Sequence, residues 1–291
     1  MERLCDLCFE LSNEDRVKIL TGLLVKPSNL TGISKTLDLK TQESSRHLQR
    51  LLDAKLLLKD SEGVFSVSPF GRIILELQKS LRFVSSNRGY FNTHSLESLP
   101  EGFAGRIAEL SQSRYTPDVM NSFAWVESLF KSAEEYVWMV HDQYIVSTLP
   151  SYLGAIKKGL RFKLVELFGR APERRLDQMR TLYISDEDEE TILNARLSGQ
   201  VESYYLDKID VFLYKTEKTC LIAFPKLEGT FDYLGFMSQD RAAHRFCQDL
   251  FETHLEKAQK ITSEELIENH ETRMRIRGSR ETEQSRQQRR L

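Results

Sequence analysis

Gln42, Arg46, Gln49 and Arg50 lie in "TQESSRHLQRLLD", residues 41–53, at spacings that put them on one side of a helix with Ser45 at the edge. Their chemistry is that of a base-reading surface. An arginine donates twice to a guanine edge, a glutamine pairs with adenine, and a serine adapts to either. Behind them Ser44, His47, Leu48, Leu51 and Leu52 form the opposite face, so the leucines can anchor the helix in a core with Leu20, Leu24 and Ile33. The alternatives at this point are an ordinary solvated helix face or a protein-docking surface.

A second group is Trp138, His141 and Asp142, at or just past the carboxyl end of "EYVWMVH" (135–141). Open α/β sheets bind ligands at that end of their strands, so these three residues are expected to line an effector pocket. The competing expectation makes Trp138 a core residue and His141-Asp142 a loop or helix cap. Phosphodiester chemistry of the H-x-K type needs a lysine two residues after a histidine. His47, His94, His141, His244, His254 and His270 are followed there by Gln49, Leu96, Gln143, Phe246, Glu256 and Thr272. No catalytic residue is therefore expected. Cys5 and Cys8 form a C-x-x-C, but a structural zinc needs four ligands and no second such pair exists. Neither a metal nor a cofactor is expected. Cys8 is read as packing with Leu4 and Leu11, and the acidic run Asp186 to Glu190 as a helix start or solvated loop.

The elements that must position these residues are legible in the patterning. Residues 1–26 read as two helices, with Ser12 and Asp15 as a capping box between them. Thr31–Leu37 reads as a short helix, Thr41 as the cap of the next, and "LLLKDSEGVFSVS" as a hairpin whose single cation near the tip is Lys59. Ser68-Pro69 supplies a cap and a first-turn proline for "FGRIILELQKSL". Helix, turn, helix, hairpin is the order of a winged helix-turn-helix, whose second helix enters the major groove. Farther on, strand 135–141, helix 147–159 and strand 160–168 make a βαβ unit with parallel pairing. Residues 209–225 and 230–238 read as antiparallel strands at an edge, and 241–261 as a long amphipathic helix. The organisation expected is a DNA-binding domain over 1–84, a linker and helical connector over 85–134, an α/β regulatory domain over 135–262, and a polar tail over 263–291. Seven arginines fall within its last 19 residues. The fold class expected is α+β, with an α/β second domain.

Composition bounds the partners. The formal net charge is −2, so any nucleic-acid surface must be local. Residues 1–85 carry 13 Lys+Arg against 11 Asp+Glu, which makes a single domain a weak binder and a homodimer the expected form. Four cysteines in 291 residues fit a reducing cytoplasm, and no apolar run is long enough to span a membrane.

"SNEDRVKIL", "LTGISKTLDLKTQESSRHLQRLLDAKLL" and "GVFSVSPFGRIILEL" resemble the winged-helix regulators of the archaeal ArsR/MarR-like group, and most closely the methanogen filamentation-regulator type. "NTHSLESLPEGFAGRIAEL", "AEEYVWMVHDQ" and "HRFCQDLFETHLEKA" extend the likeness to that family's second domain. The resemblance implies double-stranded DNA as partner, an effector-sensing second domain, and DNA-reading roles for Gln42, Glu43, Ser45, Arg46 and Gln49. Lys55 departs from the pattern, since such proteins commonly carry a glycine there. "AEEYVWMVHDQ…LPSYLGAIKKGLRFKLVEL" is also similar to half of a phospholipase D-like sandwich, which keeps a phosphodiester-processing enzyme or nuclease as the second reading.

Overall fold

The structure is a computed structural model and describes residues 2–167, 185–268 and 270–272. The chain divides into two units, Met1–Arg82 and Phe83–Leu291, and its class is mixed α+β. The arginines of the tail lie outside the described residues.

In the first unit α1 (Glu2–Leu11) is followed by α2 (Glu14–Val25), β1 (Ser28–Asn29), α3 (Leu30–Leu37) and α4 (Thr41–Asp53). The hairpin β2 (Leu57–Lys59) and β3 (Val64–Val67) comes next, and then α5 (Pro69–Ser86) begins. β3 pairs antiparallel with β2 on one side and with β1 on the other, giving a three-stranded sheet. Ile19, Leu20, Leu23, Ile33, Leu48, Leu51, Leu57, Phe65 and Val67 close one core between the helices and this sheet.

The caps differ in detail from those read in the sequence. Asn13, not Ser12, accepts the Arg16 N–H at the start of α2, and Asn29 does the same for Gly32 in α3. Thr41 is the first residue of α4 rather than its cap; Lys40 stands at the cap position with no side-chain bond. Ser68 does cap α5, since its hydroxyl accepts the Gly71 N–H at 2.8 Å. Gly71 is required there, because a Cβ would lie 2.3 Å from the Leu56 carbonyl oxygen. α1 turns Leu7 and Leu11 inward, leaving Leu4 and Cys8 exposed. The expected Leu4/Cys8/Leu11 packing face is thus rotated away.

Lys55 adopts φ 61° at the end of α4. Its N–H donates to the Leu52 carbonyl and that of Leu56 to the Leu51 carbonyl, both at 2.9 Å, which is the hydrogen-bond pattern of a Schellman stop. The chain makes the left-handed turn with a lysine where a glycine would be unstrained.

The second unit is built on an eight-stranded sheet. Its strands in chain order are β4 (Arg114–Thr116), β5 (Tyr136–His141), β6 (Arg161–Leu167), β7 (Val201–Leu206), β8 (Phe212–Lys215), β9 (Cys220–Ala223), β10 (Gly235–Ser238) and β11 (Gln259–Lys260). Across the sheet the order is β11-β7-β6-β5-β8-β9-β10-β4. β5, β6 and β7 are parallel, and the remaining pairs are antiparallel. α7 (Val119–Ser132), α8 (Leu149–Lys157) and α9 (Asp186–Leu197) cover one face, with Val126, Phe130, Met139, Ile156, Leu164 and Tyr214 in the core beneath them. α10 (Arg241–Lys257), the short α6 (Arg88–Phe91) and a 3-10 turn at Ala104–Leu110 cover the other, over Val140, Leu213, Ile222, Phe236, Phe246 and Phe251.

Residues 85–134, read as linker and connector, belong to this unit. β4 forms its edge strand, Tyr90 is buried with its hydroxyl donating to the Phe224 carbonyl and accepting the Phe224 N–H, and α7 covers the sheet. Asp186–Leu197 is a helix capped by Ser185, so the acidic run occupies its first turn. β7 was not marked by the sequence. "VESYYL" pairs parallel with β6 and puts Val201 and Ser203 inward, but Glu202 and Ser203 break the apolar run.

Candidate nucleic-acid interface and a buried polar cluster

α4 turns Ser44, Leu48 and Leu51 into the core and leaves Gln42, Ser45, Arg46 and Gln49 exposed together. Among the described residues Arg46 has no ion-pair partner, so its guanidinium is available for bidentate donation. Gln49 donates to Asp53 Oδ1 at 2.9 Å, an exposed bond that a stronger acceptor can replace. The open face therefore carries one uncommitted cation and two amides.

Two residues expected on this face are turned elsewhere. Arg50 donates to Glu10 through Nε at 3.0 Å and Nη2 at 2.5 Å, and its guanidinium lies 5.1 Å from the Phe9 ring. It fastens α1 to the flank of α4, which a helical wheel of α4 alone cannot show. Glu10 also takes Arg16 at 3.2 Å, and the Arg50 hydrogen bonds hold its carboxyl below the usual carboxylate range. Glu43 stands beside Asp15 and His47 rather than among the amides, its Oε1 3.9 Å from His47 Nε2. Lys59 sits on β2 with its ammonium 5.3 Å from the Phe65 ring. At the hairpin tip the Asp60 carboxylate accepts the Glu62 and Val64 N–H groups, so the wing itself is acidic.

In the second unit, Trp138 and His141 lie on opposite faces of the sheet. Side chains alternate along a strand, and three positions apart means the other side. Trp138 stacks on Phe251 of α10 at 5.0 Å and lies 4.9 Å from the Lys215 ammonium. His141 points to the α8 and α9 side, 1% exposed, with Nδ1 3.3 Å from the Tyr214 hydroxyl. The three residues expected to share a pocket therefore do not. Asp142 is apart again, accepting the Tyr233 hydroxyl at 3.1 Å, and burial pushes its carboxyl up.

His141 instead joins a cluster that sequence reasoning missed. Glu166 Oε1 lies 3.9 Å from His141 Nε2, accepts Arg196 Nη2 at 3.0 Å and accepts the Tyr144 hydroxyl. Arg196 also donates to the Tyr144 oxygen at 2.6 Å. Burial alone would raise the Glu166 carboxyl, but the Arg196 charge, followed by His141 and Tyr144 beside it, outweighs burial and brings the value to about 2. Burial pushes the Tyr144 hydroxyl well up, so it stays a donor. The cluster joins the carboxyl ends of β5 and β6 to α9. One signal could have found it: Glu166 is an acid within "LRFKLVEL", a strand otherwise patterned for burial on both faces. A separate cleft of about 440 Å³ between α8 and the start of α9 is lined by Val146, Leu149, Pro150, Leu153, Lys157 and Asp188, and none of Trp138, His141 and Asp142 reaches it.

No protein-family model matches the chain, and no curated protein sequence matches it. Among solved structures it is similar to TrmBL2, described as an archaeal chromatin protein with a novel mode of DNA binding. That match has 11% identity and a TM-score of 0.40, covering 86% of this chain and 94% of the other. NucT from Helicobacter pylori matches at 9% identity and TM-score 0.35, over 51% of this chain and 97% of that one. Nuc from Salmonella typhimurium, a phospholipase D family member, matches at 12% identity and TM-score 0.35, over 52% and 97%. Among the described residues no helix is long and apolar enough to cross a membrane.

Proposed function

We propose that the protein is a DNA-binding transcriptional regulator that acts as a homodimer, reading the major groove with α4. The observation that carries this reading is the exposed set Gln42, Ser45, Arg46 and Gln49 on a helix whose other side is locked by Leu48 and Leu51. The order α2, β1, α3, α4, β2, β3 and the three-stranded sheet support a winged helix-turn-helix, in which a helix so placed enters the groove. The ArsR/MarR-like assignment is part of this proposal. The acidic wing argues for readout by α4 rather than by the hairpin.

Dimerisation has its own support. Phe70, Ile73, Leu77 and Leu81 are 44%, 60%, 66% and 72% exposed and recur along one face of α5, an apolar stripe suited to a second copy of the same helix. Two copies would also double the weak phosphate attraction of one domain.

The second unit is proposed as regulatory rather than hydrolytic. His141 is 1% exposed with Nδ1 at the Tyr214 hydroxyl, and Gln143 stands where the H-x-K chemistry needs lysine. A buried ion-paired cluster is a costly way to stabilise a sheet, and the effector-sensing role is tied to this cluster and to Asp142, which follows His141 in the chain. A nuclease whose winged helix only docks substrate is the alternative. Selection of bound fragments from random DNA, followed by sequencing, tests the whole reading. Enrichment of a palindrome supports a dimeric reader, whereas no enrichment together with cleavage of labelled DNA in magnesium would replace it with the enzyme.

A further inference from the structure

We infer that Asp15, Glu43 and His47 form a binding site for a divalent transition-metal ion, of the zinc type, that bridges α2 and α4. Their candidate ligand atoms all lie within 4.8 Å of one another. Glu43 and His47 are one turn apart on α4, so both side chains lean over the first turn of α2, where Asp15 sits.

The second observation is the state of His47. Its side chain is 13% exposed, and both ring nitrogens are buried without a hydrogen-bond partner. A buried imidazole normally satisfies at least one nitrogen, because an orphaned donor or acceptor keeps its full desolvation penalty. A metal ion bound at Nε2 would remove that penalty on the side facing the carboxylates.

The donor set is one imidazole and two carboxylates. Such a mixed N,O set suits zinc and its first-row neighbours, whereas magnesium and calcium prefer oxygen alone. Zinc bonds of about 2.0–2.1 Å put tetrahedral ligand atoms roughly 3.4 Å apart. The 3.9 Å between His47 Nε2 and Glu43 Oε1 is close to that spacing. Asp15 and Glu43 are 31% and 46% exposed, which gives an ion an entry path and leaves water to complete its shell. The competing cation is Lys18, 3.9 Å from Asp15 but held by Glu14 at 2.8 Å.

Binding would replace two negative charges at the first turns of α2 and α4 with a neutral centre. The effect on DNA rests on the regulator reading: losing Glu43 repulsion beside the reading face should tighten phosphate attraction. Binding of the ion does not depend on that reading.

The test uses the reduced full chain with Cys5→Ser and Cys8→Ser, so that the exposed thiols cannot capture the ion. Calorimetric titration with zinc chloride, repeated with cobalt chloride under visible absorption, should show one ion per chain and a higher Tm. His47→Gln and the isosteric Asp15→Asn should each weaken binding at least tenfold while the metal-free Tm of Asp15→Asn stays within a degree or so, about the change expected for a half-buried, weakly paired site. No binding by the parent, or equal binding by both variants, overturns the site. Because DNA is absent from this titration, a protein that binds zinc but selects no DNA refutes the regulator reading alone. One that selects DNA but binds no zinc refutes this inference alone.

Discussion

The same residue types meet two opposite fates in this chain. On α4, Arg46 stands exposed among amides with no ion-pair partner among the described residues, while in the second unit Arg196 is 11% exposed and bonded to Glu166 and Tyr144. An exposed arginine contributes little to stability and can be donated to a partner. A buried one is held by the charge it neutralises, and its removal strands that charge. The difference teaches that polar residues alone do not mark a binding surface; whether their hydrogen bonds are already spent does. Arg50 lies between the two cases, exposed at one edge but fastened to Glu10 and Phe9.

The sharpest way to break this contrast is to delete the buried cation. Arg196→Leu leaves Glu166 without its partner and should cost about 3–5 kcal/mol in denaturant unfolding; a loss of under about 1 kcal/mol would mean that the cluster is wetter than its burial indicates. The same cluster should appear in the pH dependence. Glu166 has its folded value depressed from 4.5 to about 2, so between those values the unfolded chain binds the extra proton. Its stabilisation is complete above pH 4.5 and drains away as pH falls toward 2. Urea midpoints of Glu166→Gln should show a flatter slope across that window than the parent.

On the exposed side the expected effects lie in binding. Leu77→Glu on the α5 stripe should halve the mass seen by sedimentation and weaken DNA retention with it. An unchanged mass would remove that stripe from the dimer proposal. Arg46→Ala should reduce specific DNA affinity by the equivalent of about 1–3 kcal/mol, and relax preference at one base position. Its unfolding free energy should stay within about 0.5 kcal/mol of the parent, which is where it parts from Arg196→Leu. The smallest change is expected from Lys55→Gly, which relieves the left-handed turn and should stabilise the first unit by about 1 kcal/mol with DNA affinity intact.

Local rules reached a good part of this molecule. Helical spacing separated Leu48 and Leu51 from Arg46 and Gln49, the Asp60–Gly63 stretch marked the hairpin turn, and Ser68-Pro69 marked the start of α5. The β5–α8–β6 crossover followed from its apolar runs, and the structure pairs its strands in parallel. Each of these depends on a side chain and its neighbours within a few residues, which is information the chain carries in one dimension. Strand alternation is equally local and separates Trp138 from His141, against the expectation that they share one pocket.

Tertiary structure decided the rest, because the deciding partners are distant along the chain. Arg50 meets Glu10 from 40 residues away, and Glu166 meets Arg196 from 30. His47 acquires Asp15 only when α4 crosses the start of α2. β11, only Gln259–Lys260, becomes a strand because the edge of β7 offers unpaired backbone groups, not because its own residues demand it. The sequence by itself settled which residues turn inward on α4, though not on α1. Which polar groups remained free to act was settled only when folding matched most donors and charges with a neighbour, left others in water, and left the His47 nitrogens buried without either.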